Sequence, residues 1–291
     1  MSANPRATPR YHAALEAARP GWWDDRNFEK WRRHYLSEHE RGREIVATLE
    51  RYVPGFSAHG IRALDIGCGD GGVPIAFAEA GAARVAGIEP DRASLERGII
   101  RAEEHGVHAD LRQGFAEELP FDDGGFDLVI LDNVLEHVRD RTRTLAEAHR
   151  VLAPRGLLYV VTPKPFALHS LVSDPHYQIP GLVLLPPRLQ KWYFERIHSR
   201  GRAEFSVGVI PTRRSALAMM RRAGFESVAS PRDLWIDYLK RRIARPDEVQ
   251  PGPKRRLAAF LARRDWAFES APMRLLWDVA LGSNYFIARR S

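Results

Sequence analysis

From Arg62 onward the chain alternates short apolar runs with amphipathic stretches, and this rhythm restricts the possible folds more than any other feature. "RALDI" reads as a strand and "VPIAFAEAGA" as a helix closed by Gly81. "ARVAGIE" is a strand, "DRASLERGIIRAEEHG" a helix closed by Gly106, and "ADLRQG" a short strand. "FDLVILD" and "LLYVVTP" are apolar enough to be covered on both faces, and the helix "DRTRTLAEAHRVLAPRG" separates them. Such alternation predicts a doubly wound, mostly parallel α/β sheet. With 291 residues, 44% of them hydrophobic, the chain can build one such domain with additions.

The first strand runs into "ALDIGCGDGGVP", residues 63 to 74, where an acid is followed by four glycines in six positions. Gly67, Gly69 and Gly72 satisfy G-x-G-x-x-G, a pattern that seats a pyrophosphate on a helix N-terminus. Asp65, Gly67, Gly69 and Gly71 equally satisfy D-x-G-x-G-x-G. In both patterns glycine lets a ligand approach the backbone closely. Glu89 ends the second strand, about twenty residues beyond Gly67, where a carboxylate accepts hydrogen bonds from ribose hydroxyls. Many nucleotide cofactors carry a ribose, so these residues alone leave the ligand open.

Cys68 is the only cysteine, which excludes an internal disulfide, a thiolate zinc cluster and a separate cysteine nucleophile. It reads as a small residue inside the loop, and no metal site is expected. The net charge of +7 comes from basic residues that are nearly all arginine. That charge fits an anionic partner (a phosphate-bearing substrate, a membrane surface or nucleic acid) or simply a solvated face. No apolar run approaches the ~20 residues that cross a bilayer. "MSANPRATPR" lacks the apolar segment of a signal peptide, so a cytoplasmic protein is expected.

Residues 111 to 140, "LRQGFAEELPFDDGGFDLVILDNVLEHVRD", followed by "RVLAPRGLLYVVTP", decide between the two loop patterns. Together with the glycine loop they resemble the class I S-adenosylmethionine-dependent methyltransferases, closest to the type 11 group that includes the quinone-biosynthesis enzymes. The similarity runs from about Arg62 to Thr162 and returns weakly in the last helix and strands. It implies a Rossmann-like seven-stranded sheet of order 3-2-1-4-5-7-6, with the last strand antiparallel and "FESVAS" and "NYFIARR" as the terminal pair. It also implies S-adenosylmethionine as cofactor. By position, Asp65, Gly67, Cys68, Gly69 and Gly71 form the loop against which its methionine part lies, and Glu89 is the ribose acid. Phe115, Ala116 and Glu117 occupy the adenine stretch, and Asp132 and Asn133 lie beside the amino-acid end. Phe115 departs from the family, which often has Asp there. The adenine amino group then falls to Glu117, to a backbone carbonyl, or to a site that works by stacking.

Residues 1–60 are expected to form an N-terminal helical cap, loose to about residue 27 and then helical to Tyr52 with a break between Ser37 and Gly42. Trp22, Trp23, Phe28, Trp31 and Tyr35 form an aromatic stripe that either covers the cofactor or fills core, and Arg32 or Arg33 is placed to reach the cofactor carboxylate. Residues 61–291 are then the methyltransferase domain, with insertions at about 163–210 and 231–282. The first insertion carries His169, Asp174, His176, Tyr177, Trp192 and Tyr193 and reads as a substrate lid or as a packing segment. The second is a basic helical subdomain whose "KRRLAAFLARRDW" suits an anionic membrane surface or a solvated domain face. "PTRRSALAMMRRAGF" is a helix with Thr212 as N-cap.

The function expected is methylation of a hydroxyl on a small molecule, a glycan or a lipid-linked biosynthetic intermediate, an acceptor that the basic balance allows to be anionic. His137, just beyond the fourth strand, and His176, in the lid segment, are the candidate bases. Two rivals remain. One is an NAD-dependent dehydrogenase using the nested G-x-G-x-x-G; the other is a non-catalytic methyltransferase-like binding protein. Nucleic acid is disfavoured as a partner, because the fourth strand is not followed by Asn/Asp-Pro-Pro-aromatic and no Pro-Cys nucleophile is present.

Overall fold

The computed structural model describes residues 9–19, 25–164, 179, 181–197, 210–229, 233–234, 237, 241, 272 and 283–291. Three N-terminal helices, α1 (Pro9–Ala17), α2 (Asp25–Leu36) and α3 (Glu38–Tyr52), precede the sheet. There follow β1 (Arg62–Ile66), α4 (Gly72–Glu79), β2 (Arg84–Glu89), α5 (Arg92–Glu104), β3 (Asp110–Gln113), β4 (Phe126–Asp132), α6 (Arg141–Val151) and β5 (Leu152–Pro163). Then come α7 (Pro187–Ile197), α8 (Arg213–Arg222), β6 (Phe225–Ser227) and β7 (Ser283–Arg290).

The seven strands lie in the order β3-β2-β1-β4-β5-β7-β6. β1 pairs in parallel with β2 and β4, and β7 runs antiparallel between β5 and β6. Ile66 is in register with Ile88 on one side and Leu131 on the other. One step further along, the chain places the glycine loop, Glu89 and Asp132 side by side at one edge. Strand order reverses beside β1, and such a switch point is where open α/β sheets bind ligands.

Side chains alternate across the sheet. Leu128, Ile130, Leu157, Tyr159 and Ile287 pack with Ile45 and Leu49 of α3 and Val73 and Phe77 of α4. Val129, Leu131, Leu158, Val160 and Phe286 pack on the opposite face with Leu145 and Ala148 of α6 and Ala216 and Met220 of α8. Local caps set the helix starts. Asp91 accepts from the Ser94 amide, Asp140 from Thr142 and Arg143, and Thr212 from Ser215.

Several boundaries differ from the sequence-based expectations. The first strand residue of β5 is Leu152, so this strand takes in "LAPRG" ahead of the apolar run. The break between α2 and α3 falls at Ser37, within the expected window. The segment before residue 27 is not uniformly loose, because α1 docks on α5. The carboxylate of Glu104, at the end of α5, accepts the Arg10 and Tyr11 amides at 2.9 Å each and so caps the first turn of α1. Tyr11 is buried, its hydroxyl donates to Asp70 Oδ2 at 3.0 Å, and the Arg101 guanidinium lies 4.7 Å from its ring centroid. Within the second insertion, Leu234 joins the core under α3, and Asp237 pairs with Arg51 of α3 at 3.4 Å. The "KRRLAAFLARRDW" stretch lies outside the described residues.

Tyr11→Phe keeps the packing and removes one hydrogen bond to a carboxylate that retains Arg97. It is expected to lower stability by about 1.5 kcal/mol in urea unfolding, and Tyr11→Ala by about 3–5 kcal/mol.

Candidate functional site

The loop between β1 and α4 is fixed from below: the Gly67 and Cys68 amides donate to the Ile88 carbonyl at 2.7 and 3.0 Å. Gly67 and Gly69 both have positive φ, 74° and 52°. A Cβ on Gly67 would stand 2.7 Å from Val134 Cγ2, and one on Gly69 would stand 2.6 Å from Glu38 Oε1. Glycine is therefore required at both positions by conformation and by space. Gly71 lies against Gly98 of α5. Cys68 is buried with its sulfur against Gly87, and burial holds its thiol well above the usual range, so it is no nucleophile.

Carboxylates surround this loop. Glu89 accepts from the Gly69 amide at 3.0 Å through Oε2 and from the Asp91 amide at 2.9 Å through Oε1. A carboxylate has about four acceptor positions, so lone pairs remain for two hydroxyls. Asp65 is buried, and its Oδ1 has no hydrogen-bond partner among the described residues. Burial first, then the negative charges of Asp132 and Glu38, hold the Asp65 carboxyl well above its ordinary range. At the end of β4, Asp132 takes a hydrogen bond from Asn133 Nδ2 at 2.8 Å and an ion pair from Arg41 Nε at 3.2 Å. Asn133 itself has φ 58°, a left-handed conformation that Asn tolerates and that recurs where a site dictates the backbone.

The N-terminus of α4 decides what the loop can take. It has no side-chain cap of its own; instead Glu38 Oε2, from the first residue of α3, accepts the Gly72 amide at 3.4 Å. Glu38 also pairs with the fully buried Arg101 at 3.3 Å. Burial, with the charge of Asp70 beside it, pushes the Glu38 carboxyl up to about 8. The position where a dinucleotide loop seats pyrophosphate is thus filled by the chain's own carboxyl group. By occupying the helix terminus Glu38 leaves no room there for a pyrophosphate, while Glu89 and the Asp132 carboxylate offer acceptors that suit ribose hydroxyls and an ammonium. Glycines without bulk, an acid with spare lone pairs and an orphaned Asp65 oxygen all fit S-adenosylmethionine.

Phe115 is 60% exposed and presents its ring for stacking, with Arg139 6.0 Å from its centroid, while Ala116 is buried in the core. Glu117 Oε1 accepts the Arg139 and Asp140 amides at 2.7 and 3.3 Å. His137 is exposed at the end of the turn after β4, its amide donating to the Val134 carbonyl. His176 lies outside the described residues, as do Trp22, Trp23, His169, Asp174 and Tyr177. Arg32 and Arg33 are not brought to the loop: both pair with Glu29, and Arg32 also with Glu16. Arg41, which sequence reasoning missed, is the arginine at Asp132. Tyr35 comes within 3.7 Å of a Cβ built on Gly69, and its ring and that of Trp31 lie against Arg97 of α5. The stripe therefore both packs and borders the loop.

Comparison with known proteins bears on this site. A "Methyltransferase domain" family model matches residues 64–160. The ubiquinone biosynthesis O-methyltransferase of Ruegeria pomeroyi is 32% identical over 187 residues, covering 60% of this chain and 73% of that protein. The enzyme of the same name from Azorhizobium caulinodans is 34% identical over 56% of this chain, which spans only 65% of that relative's length. The 27-O-demethylrifamycin SV methyltransferase of Amycolatopsis mediterranei is 36% identical over 52% of this chain and 54% of its own. Among solved structures, an S-adenosylmethionine-dependent methyltransferase from Mesorhizobium loti shares the fold, with a TM-score of 0.55 at 21% identity over 84% of this chain and 96% of that one.

Gly67→Ala is expected to destabilise the protein by roughly 1–3 kcal/mol through φ strain and the Val134 clash, read by thermal or urea unfolding. A second expectation concerns pH. Burial, reinforced by the charge of Asp132, pushes the Glu136 carboxyl up to about 8. Its folded pKa exceeds its unfolded value, so the folded state binds the proton more tightly. Stability from this group is complete below the unfolded carboxyl pKa and is lost as pH rises through about 8. Glu136→Gln should flatten the fall in unfolding free energy over that window, and an unchanged slope would contradict the assignment.

Proposed function

The chain belongs to the class I S-adenosylmethionine-dependent methyltransferases, and from that premise we propose that it methylates a hydroxyl oxygen on a small molecule, a glycan or a lipid-linked biosynthetic intermediate. The observation that carries the reading is the acidic loop whose helix terminus is already taken by Glu38. The similarity to a ubiquinone biosynthesis O-methyltransferase and to a 27-O-demethylrifamycin SV methyltransferase supports oxygen as the accepting atom.

S-adenosylmethionine supplies a methyl group already activated by a positive sulfur. The work left to the chain is to bind, orient and take a proton. Gly67 and Gly69 would admit the methionine part to the backbone, and Glu89 would accept from the ribose hydroxyls. Asp65 and Asp132 would hold the amino-acid end, with Arg41 as the cation there. Phe115 would stack on the adenine, while Glu117 Oε1 braces the backbone at 139–140. The cofactor would supply its methyl group to the acceptor oxygen, and a histidine of this chain would take the hydroxyl proton. His137 and His176 are the two candidates for that base.

Transfer of labelled methyl from S-adenosylmethionine to a panel of phenolic, quinol, glycan and lipid-linked hydroxyl acceptors, with amine acceptors alongside, tests the proposal. Glu89→Ala should raise KM for the cofactor about tenfold or more. Loss of the correct base should lower kcat about a hundredfold at neutral pH, so His137→Gln and His176→Gln separate the two candidates. Methylation of nitrogen acceptors alone, or of none, would contradict oxygen transfer.

A further inference from the structure

On the flank of the sheet, away from the glycine loop, three helices bring together two imidazoles and a carboxylate. His39 comes from the first turn of α3, Glu79 is the last residue of α4, and His105 is the C-cap of α5. His39 Nε2 lies 2.8 Å from Glu79 Oε2, and His105 Nδ1 lies 2.9 Å from Glu79 Oε1. The donor atoms of all three residues fall within 4.8 Å of one another. Both imidazoles are nearly enclosed, with 3% of the His39 side chain and 9% of the His105 side chain exposed, while Glu79 at 30% opens to solvent.

Each imidazole turns one nitrogen to Glu79, His39 through Nε2 and His105 through Nδ1, and those are the nitrogens that an ion in the cluster would meet. The ring centroids of the two imidazoles stand 5.0 Å apart.

We propose that His39, Glu79 and His105 bind one divalent transition-metal ion, zinc in the first instance. Two nitrogens and one carboxylate oxygen are the donor set of zinc and its neighbours rather than of magnesium or calcium, which prefer oxygen alone. Zinc–ligand bonds of about 2.0–2.1 Å place tetrahedral donors about 3.3 Å apart. The two His–Glu pairs are already inside that spacing, so only the imidazoles must draw together, by no more than about 1.5 Å, through rotation of side chains. Solvent on the Glu79 side supplies a fourth ligand. Arg43, 3.4 Å from Glu79 Oε2 and more than half exposed, is the rim cation that must swing outward.

The ion would tie the cap helix α3 to both α4 and α5. His39 follows Glu38 directly, so the tie also fixes the carboxyl group that sits on the α4 terminus. The eight residues of α4 put the ion about 10 Å along the helix from the loop, too far to touch a cofactor, which makes it a structural clamp. The inference does not depend on the acceptor or the chemistry proposed above.

The test is calorimetric titration of the full chain, freed of metal, with Zn2+, alongside the visible spectrum with Co2+. We expect one equivalent bound, a tetrahedral-type cobalt spectrum and a rise in Tm, with affinity falling about tenfold or more in both His105→Gln and Glu79→Gln. Should either variant fail to fold, histidine-selective 15N spectra of the wild-type chain decide. Zn2+ must then shift two imidazoles, and the shift must be lost when Glu79 alone is replaced by Asp. No binding to the wild-type chain, or equal binding in the variants, overturns the proposal, because the ion would then sit elsewhere or nowhere.

Discussion

A carboxyl group from the first turn of α3 sits on the first amide of α4, and the ligand loop is assembled around that contact. Helix termini leave amides without partners, and a loop of glycines has no side chain to offer them. Glu38 supplies the partner from 34 residues away. The same group pairs with Arg101, and Asp70 within the loop pairs with Arg97 at 2.8 and 2.9 Å. Tyr11 bridges these charges from α1. A buried pair of this kind adds little net stability over an apolar equivalent, yet breaking one side costs several kcal/mol because the remaining charge is stranded. The network therefore acts chiefly to specify position: it locks cap, loop and α5 into one arrangement.

That arrangement dictates which ligand fits. A dinucleotide loop and a methyltransferase loop share glycines, a ribose acid and a parallel sheet, and they differ in what faces the helix terminus. Here an internal carboxyl group occupies it, so a pyrophosphate would find its usual seat filled. Asp65 and Asp132 stand beside the loop with oxygens that can accept from an ammonium. The family assignment and the geometry of the loop reach the same cofactor by separate routes.

Much of the frame was legible in the sequence because its signals are local. Apolar runs of strand length, helix-closing glycines and an acid before the loop each declare themselves within a few residues, and the order of the sheet followed from the resemblance. What the sequence did not disclose is set by contacts across long separations. α1 is helical because Glu104 caps it and Arg101 covers Tyr11, partners about ninety residues away with no local trace. Glu38 and Arg41 look like ordinary surface charges on an amphipathic helix, whereas Arg32 and Arg33, the arginines expected near the cofactor carboxylate, pair along α2. Glu117 has the chemistry for an adenine contact, and nothing local in the sequence discloses that one of its oxygens braces the turn before α6. The His39–Glu79–His105 cluster was invisible for the same reason: its members are spaced by 40 and 26 residues and carry no ligand motif.

The central claim is that the loop, with its helix terminus already filled by Glu38, takes an adenosyl amino-acid cofactor and not a dinucleotide. Calorimetric titration of the full chain with S-adenosylmethionine, S-adenosylhomocysteine and NAD, with Gly69→Arg as control, tests it most directly. The account predicts micromolar binding of the first two, lost in the control, and no heat from NAD. Binding of NAD, or failure of both adenosyl compounds to bind, would contradict it.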